Sequence, residues 1–423
     1  MTFKKVCVMG LGYVGLPLVK AFIDKNIFVV GYDIDKNKIQ QLKDKISYID
    51  SIPDTDITKW IDSGMLFPTI EGEEMNVVDV DAIIVAVPTP VDVHNQPNLG
   101  YVSRTMRTIA LHAPKGCLIV LESSSFPGTT QEMYDFLVSQ GRSDLIMGYS
   151  PERVDPGTSH TVEATPKLVA GLTFESKVAT CELYNIICQK IIPVDSCEIA
   201  EASKILENTY RSVNIALINE MKMVFDAMDI DIWKVIDAAA TKPFGFTPFY
   251  PGPGVGGHCI PVDPYYLTHK AEEFDMYSDF ISLAAHINDY MPRYTIQQLM
   301  LESNKQNKCL SECDVLVLGV AYKPDVADIR ESPALSVIEN LIGKCKSVSY
   351  YDPYVPQLHK MRKHNLKMVS AKSVNIPWGY DAIIICTVHS NYNEMSLREK
   401  LIQYSRENVV IDTRNFLGSK NNF

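Results

Sequence analysis

Short apolar runs alternate with longer helical stretches through the first half of the chain. Four of these runs have the length and composition of buried strands: Val6–Met9, Phe28–Tyr32, Ala82–Val87 and Leu118–Leu121. Alternation of strands with helices is typical of βαβ units. We therefore expect a parallel sheet that carries helices on both faces.

From about Ser196 the pattern changes to one long helical run. No Pro or Gly interrupts it as far as Met228, and apolar residues recur at steps of three and four. A helix of this length predicts a link between two domains. The segment 241–264 then becomes dense in Pro and Gly, which excludes regular helix and central strand and predicts a long shaped loop.

The alternation of strands and helices returns from about Cys313, which predicts a second α/β domain with one glycine, Gly319, where the first domain has three. The fold class is thus α/β, with two Rossmann-like, doubly wound parallel-sheet domains joined by a long central helix. We place the domains at 1–196, 197–300 and 301–423.

Composition narrows the possible functions. The 423 residues are 46% hydrophobic and 22% charged, which excludes a disordered chain. The net charge of −11 disfavours non-specific binding to nucleic acid or to an anionic membrane, and no apolar stretch approaches the ~18 residues of a membrane span. Ten scattered cysteines without zinc-finger spacing predict reduced thiols in a cytoplasmic protein and no metal site.

A dinucleotide site is predicted directly after the first strand. Gly10, Gly12 and Gly15 form a GxGxxG turn that opens a helix, and Asp33 ends the second strand 18 residues later. A carboxylate there accepts hydrogen bonds from a ribose diol and repels a 2′-phosphate, which favours NAD over NADP. The alternative is a glycine turn that binds no ligand. The predicted cofactor residues are Gly10, Gly12, Tyr13, Val14, Gly15, Asp33 and Thr89, the last in a turn that follows a strand.

A reacting centre is predicted within the Pro/Gly-dense loop. Cys259 follows two glycines and is therefore accessible to a substrate, and Asp263 lies four residues later as a candidate base. His258 either lowers the pKa of Cys259 or packs within the loop. On this pattern alone, Cys259 could also be an unreactive loop cysteine.

Six motifs follow one another along the chain: GLGYVGLPL, ESSSFPGTT, YSPERVDPG, SKILENTYRSVNIALINE, PGPGVGGHCIPVDPYYL and GVAYKPDVADIRESPA. Together they resemble the UDP-glucose/UDP-N-acetylhexosamine 6-dehydrogenase family, from about Lys5 to about Asn415. TKPFGFTPFYPGPG and CIPVDPYYL are most similar to its UDP-N-acetyl-D-glucosamine branch. Pro324 and His258 stand where UDP-glucose relatives often carry Lys and Ser, which weighs against UDP-glucose.

The resemblance implies an NAD domain, a central helix that supports a homodimer or a higher homo-oligomer, and a UDP-binding domain. It implies a four-electron oxidation at sugar C6 through a Cys thiohemiacetal and thioester, which reduces two NAD and yields a uronate for surface polysaccharide. A thiolate suits this chemistry because only a covalent adduct retains the aldehyde for the second oxidation.

The resemblance also implies roles for individual residues. The implied catalytic residues are Cys259 as nucleophile, Lys204, Asn208, Asp263, Glu152 and Ser125. The implied substrate-binding residues are Glu152, Arg153, Lys204, Asn208, Phe249, Tyr250, Gly256, Gly257 and Lys323, and Arg330 is implied to reach toward the cofactor.

Other interpretations remain open at this point. Lys204 could be a solvated charge that pairs with Glu201 or Glu207, and Glu152 could pair with Arg153 on the surface. UDP-N-acetyl-D-mannosamine or UDP-glucose could be the substrate. The protein could also be a two-electron NAD dehydrogenase with a structural Cys259. A nucleotide-sensing binding protein is a further alternative, but it would be expected to have lost Cys259, Lys204 or Asp263, and all three are present.

Overall fold

The computed structural model describes residues 2–49, 51–70, 79–92, 94–154, 161–257, 259–373 and 376–418. The chain divides into two compact units. Unit 1 comprises residues 1–207 and 265–275, and unit 2 comprises residues 208–264 and 276–423. No helix among the described residues has the length and apolar character needed to cross a membrane.

The strands of unit 1 are β1 (Lys5–Met9), β2 (Phe28–Asp33), β3 (Leu66–Ile70), β4 (Ala82–Val85), β5 (Leu118–Leu121), β6 (Ile146–Tyr149), β7 (Lys167–Gly171) and β8 (Ile191–Pro193). Its helices are α1 (Gly15–Ile23), α2 (Lys36–Lys43), α3 (Asp54–Asp62), α4 (Gly100–His112), α5 (Thr129–Ser139) and α6 (Phe174–Asn185). The helix α7 (Cys197–Ala227) begins in unit 1 and ends in unit 2.

The described strands of unit 1 form one eight-stranded sheet in the order β3-β2-β1-β4-β5-β6-β7-β8. β1, β4 and β5 are buried on both faces, as expected for strands covered by helices, and their apolar side chains form the core. The strand order reverses between β1 and β4, and open α/β sheets bind ligands beyond the carboxyl ends of the strands at such a point. The fold class and the predicted strands are confirmed for this unit.

One pairing in this sheet departs from the parallel pattern. β7 runs antiparallel to β6, with Gly148 opposite Gly171 and Tyr149 opposite Ala170. A Cβ at Gly148 would lie 2.8 Å from the Ala170 carbonyl oxygen, so the absence of a side chain permits the close pairing. The reversal brings the first residue of β7 beside the carboxyl ends of β5 and β6.

Unit 2 contains β9 (Asp314–Leu318), β10 (Ser347–Tyr351), β11 (Ala382–Ile385) and β12 (Val409–Asp412). Its remaining elements are α8 (Ile232–Ala240), α10 (Asp279–Lys305), α11 (Pro333–Leu341), α12 (Asn391–Glu394) and α13 (Leu397–Tyr404), and α9 (Asp263–Glu272) begins in this unit and continues in unit 1. The described strands form a parallel sheet in the order β10-β9-β11-β12, which confirms the second α/β layer.

The two sheets share the same backbone hydrogen bond at the turn that follows their first strand. Gly10 N–H donates to the Tyr32 carbonyl at 2.8 Å, and Gly319 N–H donates to the Tyr351 carbonyl at 2.9 Å. Both glycines have positive φ, and a Cβ at Gly319 would lie 2.1 Å from the Thr387 carbonyl oxygen. A single glycine is therefore sufficient for the tight turn of the second sheet.

The described residues of the predicted loop form no helix or strand between residue 241 and residue 262, as expected. The loop ends earlier than predicted, because Asp263 is the first residue of α9. Asp263 N–H and Val262 N–H both donate to the Cys259 carbonyl, at 2.7 and 3.0 Å. This local turn links Cys259 directly to the helix start.

Candidate active site

The turn after β1 is closely packed on one side and open on the other. Gly10 has φ +96°, and a Cβ at Gly15 would lie 1.8 Å from the Gly10 carbonyl oxygen, so α1 can begin this close to β1 only with glycine. A Cβ at Gly12 would meet no described atom within 4 Å. The turn, followed by Tyr13, Val14 and the amino end of α1, thus fits a pyrophosphate.

Asp33 lies at the carboxyl end of β2 beside this turn. Its Oδ2 accepts hydrogen bonds from Leu11 N–H at 2.8 Å and from Lys38 Nζ at 3.3 Å, and its Oδ1 accepts from Asp35 N–H at 2.9 Å. A carboxylate offers about four acceptor positions. The group is therefore held in place and retains capacity for a ribose hydroxyl, so the residues present fit a dinucleotide.

Two side chains that the sequence pattern does not distinguish hold the turn after β4. The Tyr266 hydroxyl donates to the Thr89 carbonyl at 3.0 Å, and the Ser123 hydroxyl donates to the Val87 carbonyl at 2.7 Å. Ser125 is buried nearby in sequence, and its Oγ has no hydrogen-bond partner among the described residues. Its hydroxyl therefore keeps both donor and acceptor capacity.

Glu152 and Arg153 follow β6 and do not pair with each other. Glu152 Oε1 accepts from Val154 N–H at 2.5 Å, and its Oε2 lies 3.5 Å from Lys167 Nζ. Arg153 instead forms an ion pair with Glu207 at 2.7 Å. The alternative interpretation, in which Glu152 pairs with Arg153 on the surface, is therefore wrong.

A buried cluster of ionisable groups lies next to Glu152, and the sequence analysis did not predict it. Lys167 Nζ lies 3.1 Å from Glu122 Oε2, and the Tyr184 hydroxyl donates a short hydrogen bond to Glu122 Oε1. Burial raises the pKa of Glu122 to about 7, although the Lys167 ammonium acts in the opposite direction. Burial would lower the pKa of Lys167, but the carboxylates of Glu122 and Glu152 raise it above its usual value.

Lys204 lies on α7 and is only 8% exposed. Glu201 accepts hydrogen bonds from Gly128 N–H and Thr130 N–H at 2.7 and 2.8 Å, and Glu207 pairs with Arg153. Both carboxylates that could have paired with Lys204 are thus engaged elsewhere, and no described carboxylate forms an ion pair with its ammonium. Lys204 is therefore not a solvated surface charge.

In unit 2, the structure brings Asn208 and Asp263 into contact although 55 residues separate them. Asn208 Nδ2 donates to Asp263 Oδ2 at 2.6 Å, and both side chains are buried. The Cys259 carbonyl caps the helix that Asp263 begins, and the Cys259 side chain is half-buried. The three residues therefore form one local arrangement, with an amide that orients the carboxylate and a thiol on the adjoining turn. His258 lies outside the described residues.

The glycines before Cys259 permit close packing against the segment that carries Lys323. A Cβ at Gly256 would lie 2.7 Å from Tyr322 Cβ, and a Cβ at Gly257 would lie 2.9 Å from Tyr322 Cε2. Lys323 Nζ lies 5.5 Å from the centre of the Tyr322 ring. Unit 2 thus places Lys323 and the two glycines around one aromatic ring.

Two asparagines that the sequence analysis missed anchor the loop 249–257. Asn219 Oδ1 accepts from Gly252 N–H at 3.0 Å, and Asn219 Nδ2 donates to Asn288 Oδ1 at 2.9 Å. Asn288 Nδ2 donates in turn to the Ser212 carbonyl at 3.2 Å. A buried Asn on a predicted helix is the available signal, but it does not identify a partner.

The predicted aromatic and cationic residues of unit 2 have specific local partners. Phe249 packs edge-on against Tyr210 with ring centroids 5.9 Å apart, and Tyr250 stacks on Trp233 at 5.2 Å. Arg330 Nε lies 2.9 and 3.0 Å from the two carboxylate oxygens of Asp328, and its carbonyl accepts from Gly257 N–H at 2.9 Å.

All ten cysteines lie in the described part of the chain, and none forms a disulfide. Burial raises the pKa of the Cys117, Cys188, Cys197 and Cys386 thiols to about 12 in each case. Among the described residues, no group of three or more His, Cys, Asp or Glu side chains is arranged to hold a metal ion.

Comparison with known proteins gives matches along nearly the whole chain. The chain is 35% identical over 420 residues to UDP-N-acetyl-D-glucosamine 6-dehydrogenase of Pseudomonas aeruginosa. This match covers 98% of this chain and 97% of that protein. It is 34% identical over 384 residues to UDP-N-acetyl-D-mannosamine dehydrogenase of Campylobacter jejuni, with 87% and 91% covered. The structure of UDP-D-ManNAc dehydrogenase from Pyrococcus horikoshii superposes with a TM-score of 0.87 at 31% identity, over 97% of this chain and 96% of that chain.

The chain belongs to the UDP-glucose/GDP-mannose dehydrogenase family. The NAD binding domain of the family matches residues 4–188, its central domain matches 198–290 and its UDP binding domain matches 316–419. The predicted enzyme class and the predicted cofactor are confirmed, since the protein is an NAD-dependent UDP-sugar dehydrogenase.

The two sides of the glycine turn predict different effects of adding a methyl group in this dehydrogenase. Gly15→Ala places a Cβ against the Gly10 carbonyl, so we expect a lower melting temperature and a loss of about 1–3 kcal/mol in the free energy of unfolding. Gly12→Ala meets no described atom, so we expect an unchanged melting temperature but weaker NAD binding. Thermal melting and calorimetric titration with NAD measure both effects. Unaltered NAD affinity in Gly12→Ala would contradict this placement of the pyrophosphate.

Proposed function

We propose that this dehydrogenase oxidises C6 of UDP-N-acetyl-D-glucosamine to the carboxylate through a thioester on Cys259. The observation that carries the proposal is the local arrangement of unit 2, in which Asn208 orients the Asp263 carboxylate and the Cys259 turn caps the same helix. A nucleophile and a base fixed by a third group is the pattern of covalent catalysis. The name of the Pseudomonas aeruginosa relative supports the choice of sugar.

The proposed reaction has four steps. The C6 alcohol loses a hydride and a proton to become an aldehyde, and the Cys259 sulfur then adds to the aldehyde carbon to form a thiohemiacetal. The thiohemiacetal loses a second hydride and proton to become a thioester. Water hydrolyses the thioester, which releases the carboxylate, a proton and the thiol. In sum, one alcohol and one water yield one carboxylate, two hydrides and three protons.

Several residues of unit 1 have separate roles in the proposed reaction. The Gly10–Gly15 turn and Asp33 would hold NAD, which accepts one hydride in each oxidation. Lys204, buried and without a described carboxylate partner, would stabilise negative charge on the reacting oxygen. Removal of one such donor typically costs about 2.7–4 kcal/mol of transition-state stabilisation. Glu152 would act as base toward the hydrolytic water, and the Ser125 hydroxyl would hydrogen-bond in the same step.

In unit 2, Asp263 would order a water and assist proton transfer from the substrate. The loop that includes Phe249, Tyr250, Gly256 and Gly257 would bind the sugar nucleotide together with Lys323. Glu152, Arg153, Lys204 and Asn208 would complete the substrate contacts, and Arg330 would act toward the cofactor. The proposed domains are 1–196 for NAD, 197–300 for the central helix and catalytic loop, and 301–423 for UDP.

A homodimer or higher homo-oligomer through the central helix is part of the proposal. Tyr210, Leu217 and Val224 follow one another at seven-residue steps on α7 and are 51%, 50% and 43% exposed. Tyr210 and Leu217 also line a groove of about 640 Å³ together with Phe244. An exposed apolar face of this kind is typical of a protein–protein contact. The unlinked thiols support a cytoplasmic location.

Counting NADH per sugar tests the proposed function. Purified enzyme receives a limiting amount of UDP-N-acetyl-D-glucosamine, UDP-N-acetyl-D-mannosamine or UDP-glucose, with excess NAD, and NADH is measured at completion. We expect two NADH per UDP-N-acetyl-D-glucosamine. A ratio of one would favour the two-electron dehydrogenase with a structural Cys259. Exclusive turnover of either other sugar would contradict the substrate but leave the chemistry intact.

A further inference from the structure

Four ionisable side chains of unit 1 converge at the carboxyl ends of β5 and β6 and the first residue of β7. Lys167 Nζ lies 3.1 Å from Glu122 Oε2 and 3.5 Å from Glu152 Oε2. Tyr184 donates to the other oxygen of Glu122, and the Lys167 ammonium lies 5.1 Å from the centre of its ring. We call Glu122, Lys167 and Tyr184 the anchor cluster.

Stability does not explain the anchor cluster. Glu122, Lys167 and Tyr184 are 2%, 3% and 0% exposed, so the charges of Glu122 and Lys167 have almost no access to water. Desolvation offsets much of the attraction in a buried ion pair, and well-packed apolar residues are often at least as stable. The position of the cluster beside Glu152 suggests a different role.

The cluster and one backbone group together fix both oxygens of Glu152. Oε1 accepts from Val154 N–H at 2.5 Å, and Oε2 faces the Lys167 ammonium at 3.5 Å. Lys167 has a flexible stem, but its own position is fixed because Glu122 accepts from it and Tyr184 holds Glu122. The ammonium and the backbone N–H therefore set the orientation of the carboxylate, and a general base must be oriented toward the proton that it takes.

We infer that Lys167 is a positioning residue that holds the Glu152 carboxylate oriented for hydrolysis of the thioester, with Glu122 and Tyr184 fixing Lys167. The inference rests on the proposed function. In the step concerned, a water oxygen bonds to the thioester carbon, the C–S bond breaks and sulfur leaves as a thiolate. Glu152 takes the proton that the water loses.

Lys167→Met tests the inference because it removes the ammonium and keeps an unbranched side chain. We expect the two hydride transfers to remain, so a rapid burst of two NADH per active site precedes a steady state slowed by about 10²-fold. Intact-mass spectrometry during the steady state should detect a sugar adduct on Cys259. The KM for the UDP-sugar should change little, and Lys167→Arg should restore most of the turnover because it restores the charge.

Two further variants control for a general loss of stability. Lys167→Met leaves Glu122 buried without its cation, so the double variant Lys167→Met/Glu122→Gln removes both charges and should show the same burst and adduct. Lys222 is a matched control because it is also buried and forms an ion pair, with Asp226, and it belongs to unit 2. Lys222→Met should show neither the burst nor the adduct, even if its melting temperature is as low as that of Lys167→Met.

The Glu152→Gln variant separates the two possible failures. If Glu152→Gln accumulates the adduct but neither Lys167→Met nor the double variant does, the positioning role is overturned and the proposed function stands. If no variant accumulates an adduct and Glu152→Gln still forms uronate at the normal rate, the proposed role of Glu152 and the positioning role of Lys167 are both overturned. Formation of uronate and two NADH by Cys259→Ala is the separate result that would overturn the thioester function.

Discussion

Cys259→Ala should abolish uronate formation, with a loss on the order of 10³-fold or more, the largest effect expected from a single substitution. Without the sulfur, the aldehyde formed in the first oxidation is not retained as a covalent adduct, so the second oxidation loses its substrate. At most one NADH per sugar should form. Stopped assays that measure NADH, uronate by mass spectrometry and aldehyde by hydrazine trapping check the result.

Cys309→Ala is the matched control. Cys309 is exposed and carries no disulfide, and a hydrogen bond with Ser311 lowers the pKa of its thiol. It is therefore an accessible thiol that the proposed mechanism does not use. Cys309→Ala should keep two NADH per sugar and an unchanged kcat. Formation of two NADH and of uronate by Cys259→Ala would remove the covalent mechanism.

Local sequence signals predicted four of the eight described strands of the first sheet, because such signals act within a few residues. The runs at β1 and β5 are continuously apolar, and burial on both faces requires this pattern of a parallel strand. β7 lacks the pattern, since its first residue is Lys167, a charge that becomes tolerable only beside Glu122, 45 residues earlier. A strand of this kind cannot be predicted from its own residues.

In the candidate site too, the sequence predicted local features but not contacts between residues that are distant along the chain. The close approach at Gly15 follows from the GxGxxG spacing, because the clash of a Cβ is a local matter. Sequence placed Asn208 one helical turn after Lys204, but its bond to Asp263 depends on how the chain returns after a long loop. One available signal was missed: Pro264 at the second position of α9 is typical of the first turn of a helix and indicates that a helix starts near Asp263.

The second sheet shows how a weak sequence signal can conceal a close structural parallel. Its first turn has one glycine, Gly319, yet the backbone repeats the arrangement of Gly10 in the first sheet. Asp352 accepts from Val320 N–H at 2.7 Å, as Asp33 accepts from Leu11 N–H at 2.8 Å. The two carboxylates thus occupy corresponding places at the carboxyl ends of β2 and β10, a relation that depends on strand pairing and not on a shared motif.

Asp263→Asn should lower kcat by about 10²- to 10⁴-fold with little change in KM, because it removes the proton acceptor but keeps the size of the side chain. The new amide can still present an oxygen to Asn208 Nδ2, so the buried hydrogen bond of 2.6 Å and the melting temperature should be retained. Steady-state kinetics and thermal melting measure the two effects separately.

The exchange variant Asn208→Asp/Asp263→Asn distinguishes a base at one position from a carboxylate–amide pair in either order. It restores one carboxylate and one amide, so it should fold, whereas Asn208→Asp alone places two carboxylates in contact and should be less stable. If the carboxylate must stand at the start of α9 beside the Cys259 turn, the exchange variant folds but stays inactive. Recovery of wild-type kcat in that variant would show that the carboxylate can stand at either position of the pair. Retention of wild-type kcat in Asp263→Asn would show that Asp263 orients the loop and does not transfer the proton.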